Sequence, residues 1–116
     1  MVWKIPVYNP GDLETDYKLY FPYDEENEIF GLLNVSVNDT ILSFGSTFAR
    51  LDEKDAHICV DSHANLIYGV DANFNQTGTL YNKFLTSGEF VKIPLGESTI
   101  ESNIAPSKLD YEYIYY

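Results

Sequence analysis

The stretch Leu109-Asp110-Tyr111-Glu112-Tyr113-Ile114-Tyr115-Tyr116 alternates strictly, with Leu109, Tyr111, Tyr113 and Tyr115 on one face and Asp110 and Glu112 on the other. A period of two is the signature of a half-buried β-strand. A strand this aromatic has to be paired inside a sheet, because an open edge of that composition recruits other chains. Upstream, Ile93-Pro94-Leu95-Gly96-Glu97-Ser98-Thr99-Ile100 reads as a strand running into a turn, with Pro94 presetting φ for a type I turn and Gly96 closing it.

The same rhythm runs back through the chain, with strand and turn signals recurring about every 8–12 residues. Trp3, Ile5 and Val7 alternate, and Asn9-Pro10-Gly11-Asp12 has the Pro-Gly centre of a type II turn. Tyr17, Leu19 and Phe21 face one way, Asp16 and Lys18 the other, until Pro22 ends the pairing. The acidic run Asp24-Glu25-Glu26-Asn27-Glu28 reads as an exposed loop. Leu33, Val35 and Val37 lead through an Asn38-Asp39 hairpin turn into Thr40 to Phe44. The pattern fades from Gly45 to Asp55, where a loop or one helical turn is expected. Ile58 and Val60 connect through Ser62-His63-Ala64-Asn65 to Leu66, Tyr68 and Val70. Thr79 to Phe84, Phe90 to Ile93 and Ser98 to Ile100 are three more short strands before the terminal one. No amphipathic helix is visible. The expected fold is an all-β, antiparallel β-sandwich in a single domain over residues 1–116.

Composition narrows the function. At 116 residues the chain is long enough to bury roughly 65% of its unfolded surface, and its single Cys59 excludes an internal disulfide framework. The net charge of −11 repels polyanions, so neither nucleic acid nor an anionic membrane surface is an expected partner. No apolar run reaches the ~18 residues of a membrane span, and no export leader is recognisable, so the expectation is a soluble protein.

Catalytic constellations are thin. His57 and His63 flank a strand beside Cys59, at a spacing that suits no standard zinc motif. Ser46 follows Gly45 but lacks the rest of a nucleophile elbow. Carboxylates are abundant, which makes nominating a glycosidase pair uninformative without geometry. No enzyme activity and no cofactor are expected. Asp71-Ala72-Asn73-Phe74-Asn75-Gln76-Thr77 places oxygens as an EF-hand calcium loop does, so Asp71, Asn73 and Asn75 are a weak metal candidate. Gln76 stands where that loop needs glycine, and Asn82 where it needs a bidentate Glu. Asn34, Asn38 and Asn75 open glycosylation-like triplets that read as chance matches in an Asn-rich chain. Most aromatics fall on core faces. Trp3, Tyr8, Tyr20, Tyr23 and Tyr116 are the candidates to meet a ligand, either a saccharide stacked on their rings or a protein docking surface.

Three blocks together resemble the C-terminal domain of the distal tail protein of long-tailed phages and prophages of Gram-positive bacteria. One is Tyr8-Asn9-Pro10-Gly11-Asp12 continuing through Thr15-Asp16-Tyr17 to Tyr20-Phe21-Pro22. The second is Gly88-Glu89-Phe90-Val91-Lys92-Ile93-Pro94-Leu95-Gly96-Glu97-Ser98-Thr99-Ile100, and the third is the Tyr-rich terminal strand. Leu66-Ile67-Tyr68-Gly69-Val70-Asp71, followed by Thr77-Gly78-Thr79, fits the same family's strand, loop and strand. The resemblance implies a galectin-like sandwich in the tail tip of a virion, made in the host cytoplasm. It implies other tail-tip proteins as partners and a contribution to the host-adhesion apparatus. Host cell-wall saccharide is the alternative ligand. It further implies an N-terminal ring-forming domain in a longer protein, so this part in isolation is expected to be a monomer or a weak oligomer.

Overall fold

A computed structural model describes residues 2–23, 29–49, 51–112 and 114. Ten strands follow one another: β1 (Trp3–Asn9), β2 (Tyr17–Pro22), β3 (Ile29–Val37), β4 (Thr40–Ala49), β5 (His57–Asp61), β6 (Leu66–Val70), β7 (Gln76–Leu80), β8 (Leu85–Ser87), β9 (Gly96–Ser102) and β10 (Lys108–Tyr111). A single 3-10 turn, Asn82–Phe84, interrupts them, and no α-helix occurs among the described residues. The strands form two five-stranded antiparallel sheets, ordered β1-β9-β3-β4-β8 and β10-β2-β5-β6-β7. β1 pairs with β9 and β2 with β10, so the two ends of the chain are wound together across both sheets.

The core lies between the sheets and follows the alternation. Tyr17, Leu19 and Phe21 of β2 meet Val35, Val37, Leu42, Phe44 and Ile100 from the opposing sheet, and Ile58, Val60 and Ile67 complete the layer. Each fully buried Val, Leu, Ile or Phe side chain contributes about 1.5–3 kcal/mol of burial free energy.

The strand count agrees with the sequence; several placements do not. β3 and β4 extend to Ile29 and Ala49, past the expected limits at Leu33 and Phe44, with a register shift between Gly31 and Leu33. A bulge adds one unpaired residue and so scrambles the period-two pattern on which the sequence reading relied. β7 stops at Leu80, because Tyr81 turns fully into the core. Phe90 to Ile93 is not a strand: only Ile93 forms a bridge, with Thr15, and the pairing on β4 is made by Leu85–Ser87 instead. Gly88 ends that pairing at φ +96°, where a Cβ would stand 2.1 Å from the Ile41 carbonyl oxygen. Gly96, at φ +81°, starts β9, so the turn at Pro94 leads into a strand and does not follow one. Among the described residues the positive-φ glycines are Gly78, Gly88 and Gly96, so the Asn9–Asp12 turn is not type II. The acidic run from Asp24 to Glu28 lies outside the described residues, as do Tyr113, Tyr115 and Tyr116 of the terminal stretch; β10 ends at Tyr111.

Candidate functional site

The three sequence blocks that carry the resemblance meet at one pole of the sandwich, and Asn9 is its hub. Asn9 is the last residue of β1, paired with Gly96, and its side chain points inward and is 1% exposed. Its Nδ2 donates to the Leu13 carbonyl at 3.0 Å and, more weakly, to the Ile93 carbonyl at 3.4 Å. Its Oδ1 accepts the Gly11 N–H at 3.0 Å. Thr15 and Ile93 exchange backbone hydrogen bonds of 3.0 and 2.8 Å. The loop 10–14 and the link 94–95 are therefore clamped between two pairings. The C-terminal segment joins them, with Asp12 N–H donating to the Ile114 carbonyl at 2.6 Å. Gly11 is required by this approach and not by its φ: a Cβ there would stand 2.5 Å from the Ile114 carbonyl oxygen.

Exposed on this rigid pole are Leu13 (39%), Leu95 (51%) and Ile114 (40%), beside Pro10 and half-buried Pro94. They are three of the nine large apolar side chains exposed among the described residues, and the backbone ties above bring them to one end. On the second sheet's side, a cleft of about 590 Å³ is lined by Asp16, Lys18, Asp110, Tyr111 and Ile114, among others. Asp16 is already engaged there, accepting from Ser62 Oγ at 3.2 Å and lying 3.1 Å from His63 Nδ1.

The outer face of the second sheet is a different surface. Cross-strand register lines up Lys108, Tyr20, Cys59, Tyr68 and Leu80. Tyr20, Cys59, Tyr68 and Val70 are buried there as a second cluster under Phe74. Phe74 comes from the loop after β6 and holds φ +64°, rare for a bulky side chain. Its ring stacks on His57 (4.6 Å, 20°), meets the Tyr20 ring edge-on at 5.0 Å and has Lys108 Nζ at 4.7 Å. His57 Nδ1 lies 3.0 Å from the Ser107 hydroxyl. Burial pushes the Cys59 thiol up to about 11 and the Tyr20 and Tyr68 phenols up, and it lowers His57. Burial likewise raises Tyr17 in the main core to about 12. A thiol held this far above neutrality is protonated, which removes Cys59 as a nucleophile. The cluster is a closed latch with its ring faces already occupied.

The ligand candidates of the sequence separate accordingly. Tyr8 is 56% exposed on the outer face of the first sheet, and Trp3 is 36% exposed near the start of the same strand. Tyr20 (5%) and Tyr23 (7%) are buried, which corrects their reading as aromatics free to meet a ligand. Tyr20 projects outward from β2, as its register requires, but Phe74 and Lys108 lie over it. Tyr116 lies outside the described residues. The calcium-like loop is spent on itself: Asp71 Oδ1 accepts the N–H groups of Asn73 (2.8 Å) and Asn75 (3.0 Å). Among the described residues, no three His, Cys, Asp or Glu side chains converge as a metal site would need. No helix among them is long and apolar enough to cross a membrane.

The sequence reading missed two buried carboxylates. Asp55 is fully buried, accepting hydrogen bonds from the Thr77 hydroxyl and from the Tyr81 hydroxyl at 2.6 Å. A Cβ on Gly69 would stand 2.1 Å from its Oδ1. Asp61, 4% exposed, takes the Tyr68 hydroxyl at 2.9 Å and the N–H groups of His63 and Ala64. Both act as internal ties of the second sheet. The one sequence signal was Gly69, a glycine inside an apolar strand, which marks a close approach. Comparison with protein-family models, curated proteins and solved structures found no match to the chain.

Proposed function

We propose that this protein is a non-enzymatic docking domain of the tail tip of a long-tailed phage or prophage of Gram-positive bacteria. In this reading it acts in the virion, by rigid contact with other tail-tip proteins of the host-adhesion apparatus, and needs no cofactor. The observation that carries the reading is the pole. The three blocks that resemble the distal tail protein's C-terminal domain are tied together there through Asn9, Gly11 and Ile114, and Leu13, Leu95 and Ile114 are exposed on the segments so tied. An exposed apolar cluster on a preorganised backbone is what a docking contact uses, because little ordering entropy is lost on association. The buried carboxylates and the protonated thiol are engaged internally, which favours binding over catalysis. A saccharide-binding role spread over the aromatics as a group loses support, since Tyr20 and Tyr23 are inside.

The test is co-purification with the other proteins of the same tail tip, using the wild type and a Leu13→Asp/Leu95→Asp variant. The expected result is a stable complex with the wild type and none with the variant, whose fold is unchanged because both positions are exposed. No complex at micromolar concentration, or equal capture of the variant, defeats the proposal.

A further inference from the structure

We propose that the surface cleft beside Tyr8 binds a neutral saccharide, with the sugar ring lying on the tyrosine ring. This goes beyond the docking reading and rests on different side chains. Phe74, Tyr20, Tyr81 and Phe84 spend their ring contacts inside the protein. The Tyr8 side chain makes no ring contact, hydrogen bond or ion pair with any other described residue and is 56% exposed. It projects from the outer face of β1 on the same side as Pro6, and its register partner on β9 is Glu97. Trp3 has the opposite parity along β1 and takes no part.

The surroundings have the chemistry a sugar needs. The cleft is about 420 Å³, within the range of small-ligand sites, and Asn38, Glu97 and Thr99 line it together with Pro6 and Tyr8. Asn38 is held in the β3–β4 turn at φ +54°, and its Oδ1 accepts the Thr99 N–H at 3.1 Å. That bond fixes the amide so that Nδ2, only weakly engaged with Ser98 Oγ at 3.4 Å, has a hydrogen left to donate. The Glu97 carboxylate is unpaired among the described residues, whereas Lys4 is spent on Glu101 at 3.8 Å. An apolar ring face beside a free carboxylate acceptor and an amide donor matches the C–H face and hydroxyl rim of a pyranose. A purely apolar ligand would leave those polar groups without partners.

Charge selects the class. No Lys or Arg lines this cleft, Glu97 does, and the whole chain carries −11. Phosphorylated or uronic sugars are repelled, so the ligand is neutral.

The test is a titration of the 15N-labelled protein with a panel of glucose, galactose, rhamnose and N-acetylglucosamine and their disaccharides, with glucuronate as anionic comparator. At least one neutral sugar is expected to give saturable shifts at residues 7, 8, 38 and 97–99. Tyr8→Ala, at an exposed position, keeps the fold and weakens binding roughly tenfold or more. Glu97→Gln weakens it several-fold. Leu80→Asp, at an exposed position of the other sheet, leaves it unchanged. The proposal is overturned if no neutral sugar shifts those residues, if Tyr8→Ala binds as the wild type does, or if glucuronate binds equally well.

Discussion

Replacing Asn9 by Asp tests the hub of the pole with a change of one atom. In the wild type, Nδ2 donates to the Leu13 and Ile93 carbonyls while Oδ1 accepts from Gly11, all at a side chain 1% exposed. In Asn9→Asp the acceptor survives, but an anionic oxygen now faces two carbonyl oxygens. A carboxylate so buried has its pKa raised by roughly 3 units. At 1.36 kcal/mol per unit, this destabilises the fold by about 4 kcal/mol at pH 7. Asn9→Ala loses only the hydrogen bonds, about 2 kcal/mol. The sign of the pH effect is fixed: with the folded pKa above the unfolded value of about 3.9, the folded variant binds more protons, so its relative stability rises as pH falls. Near pH 4 the protonated group donates to Leu13 again. Urea denaturation at pH 7 and pH 4 should rank wild type above Asn9→Ala above Asn9→Asp at neutrality, with the two variants converging or exchanging order in acid. An Asn9→Asp variant within about 0.5 kcal/mol of wild type at pH 7 would refute the assignment of Asn9 as a buried donor.

Gly69→Ala drives a methyl into the fully buried Asp55 carboxylate and should destabilise the protein by about 3 kcal/mol or more, read from the denaturation midpoint. Phe74→Ala should cost about 2–3 kcal/mol through loss of the ring contacts, whereas Phe74→Gly should be about 1 kcal/mol better than Ala because φ +64° suits glycine. For His57, burial lowers the folded pKa below the unfolded value of about 6.5, so the unfolded chain binds more protons between the two and stability falls as pH drops through that window. Comparing denaturation midpoints of wild type and His57→Gln at pH 7.5 and 5.5 isolates this contribution; equal pH dependence in the two would contradict it.

The sandwich was legible in the sequence wherever one face of a strand is apolar and the other polar, as in Tyr17-Lys18-Leu19 and in Leu33-Asn34-Val35-Ser36-Val37. It was not legible where both faces are covered. In Leu66-Ile67-Tyr68-Gly69-Val70, alternation suggested Leu66, Tyr68 and Val70 as the core face, whereas Ile67 enters the main core and Tyr68 and Val70 join the second cluster. An apolar run carries no period from which to choose a side. Phe74 was unreadable for another reason: it folds back over the sheet with a positive φ, in a loop tied by Asp71 through the Asn73 and Asn75 N–H groups, and nothing local to a phenylalanine announces that. Of the proposed surfaces, Tyr8 was visible as an off-register aromatic. The pole was visible only as three separate blocks, because pairings such as Thr15 with Ile93 lie far apart along the chain.

Hydrogen–deuterium exchange on the protein mixed with the tail-tip proteins proposed as its partners tests the docking claim most directly. The account predicts protection on binding concentrated in residues 10–14 and 93–96, with the β4–β8 region unchanged. Protection confined to β4 and β8, with exchange at residues 10–14 and 93–96 the same as in the free protein, would contradict it.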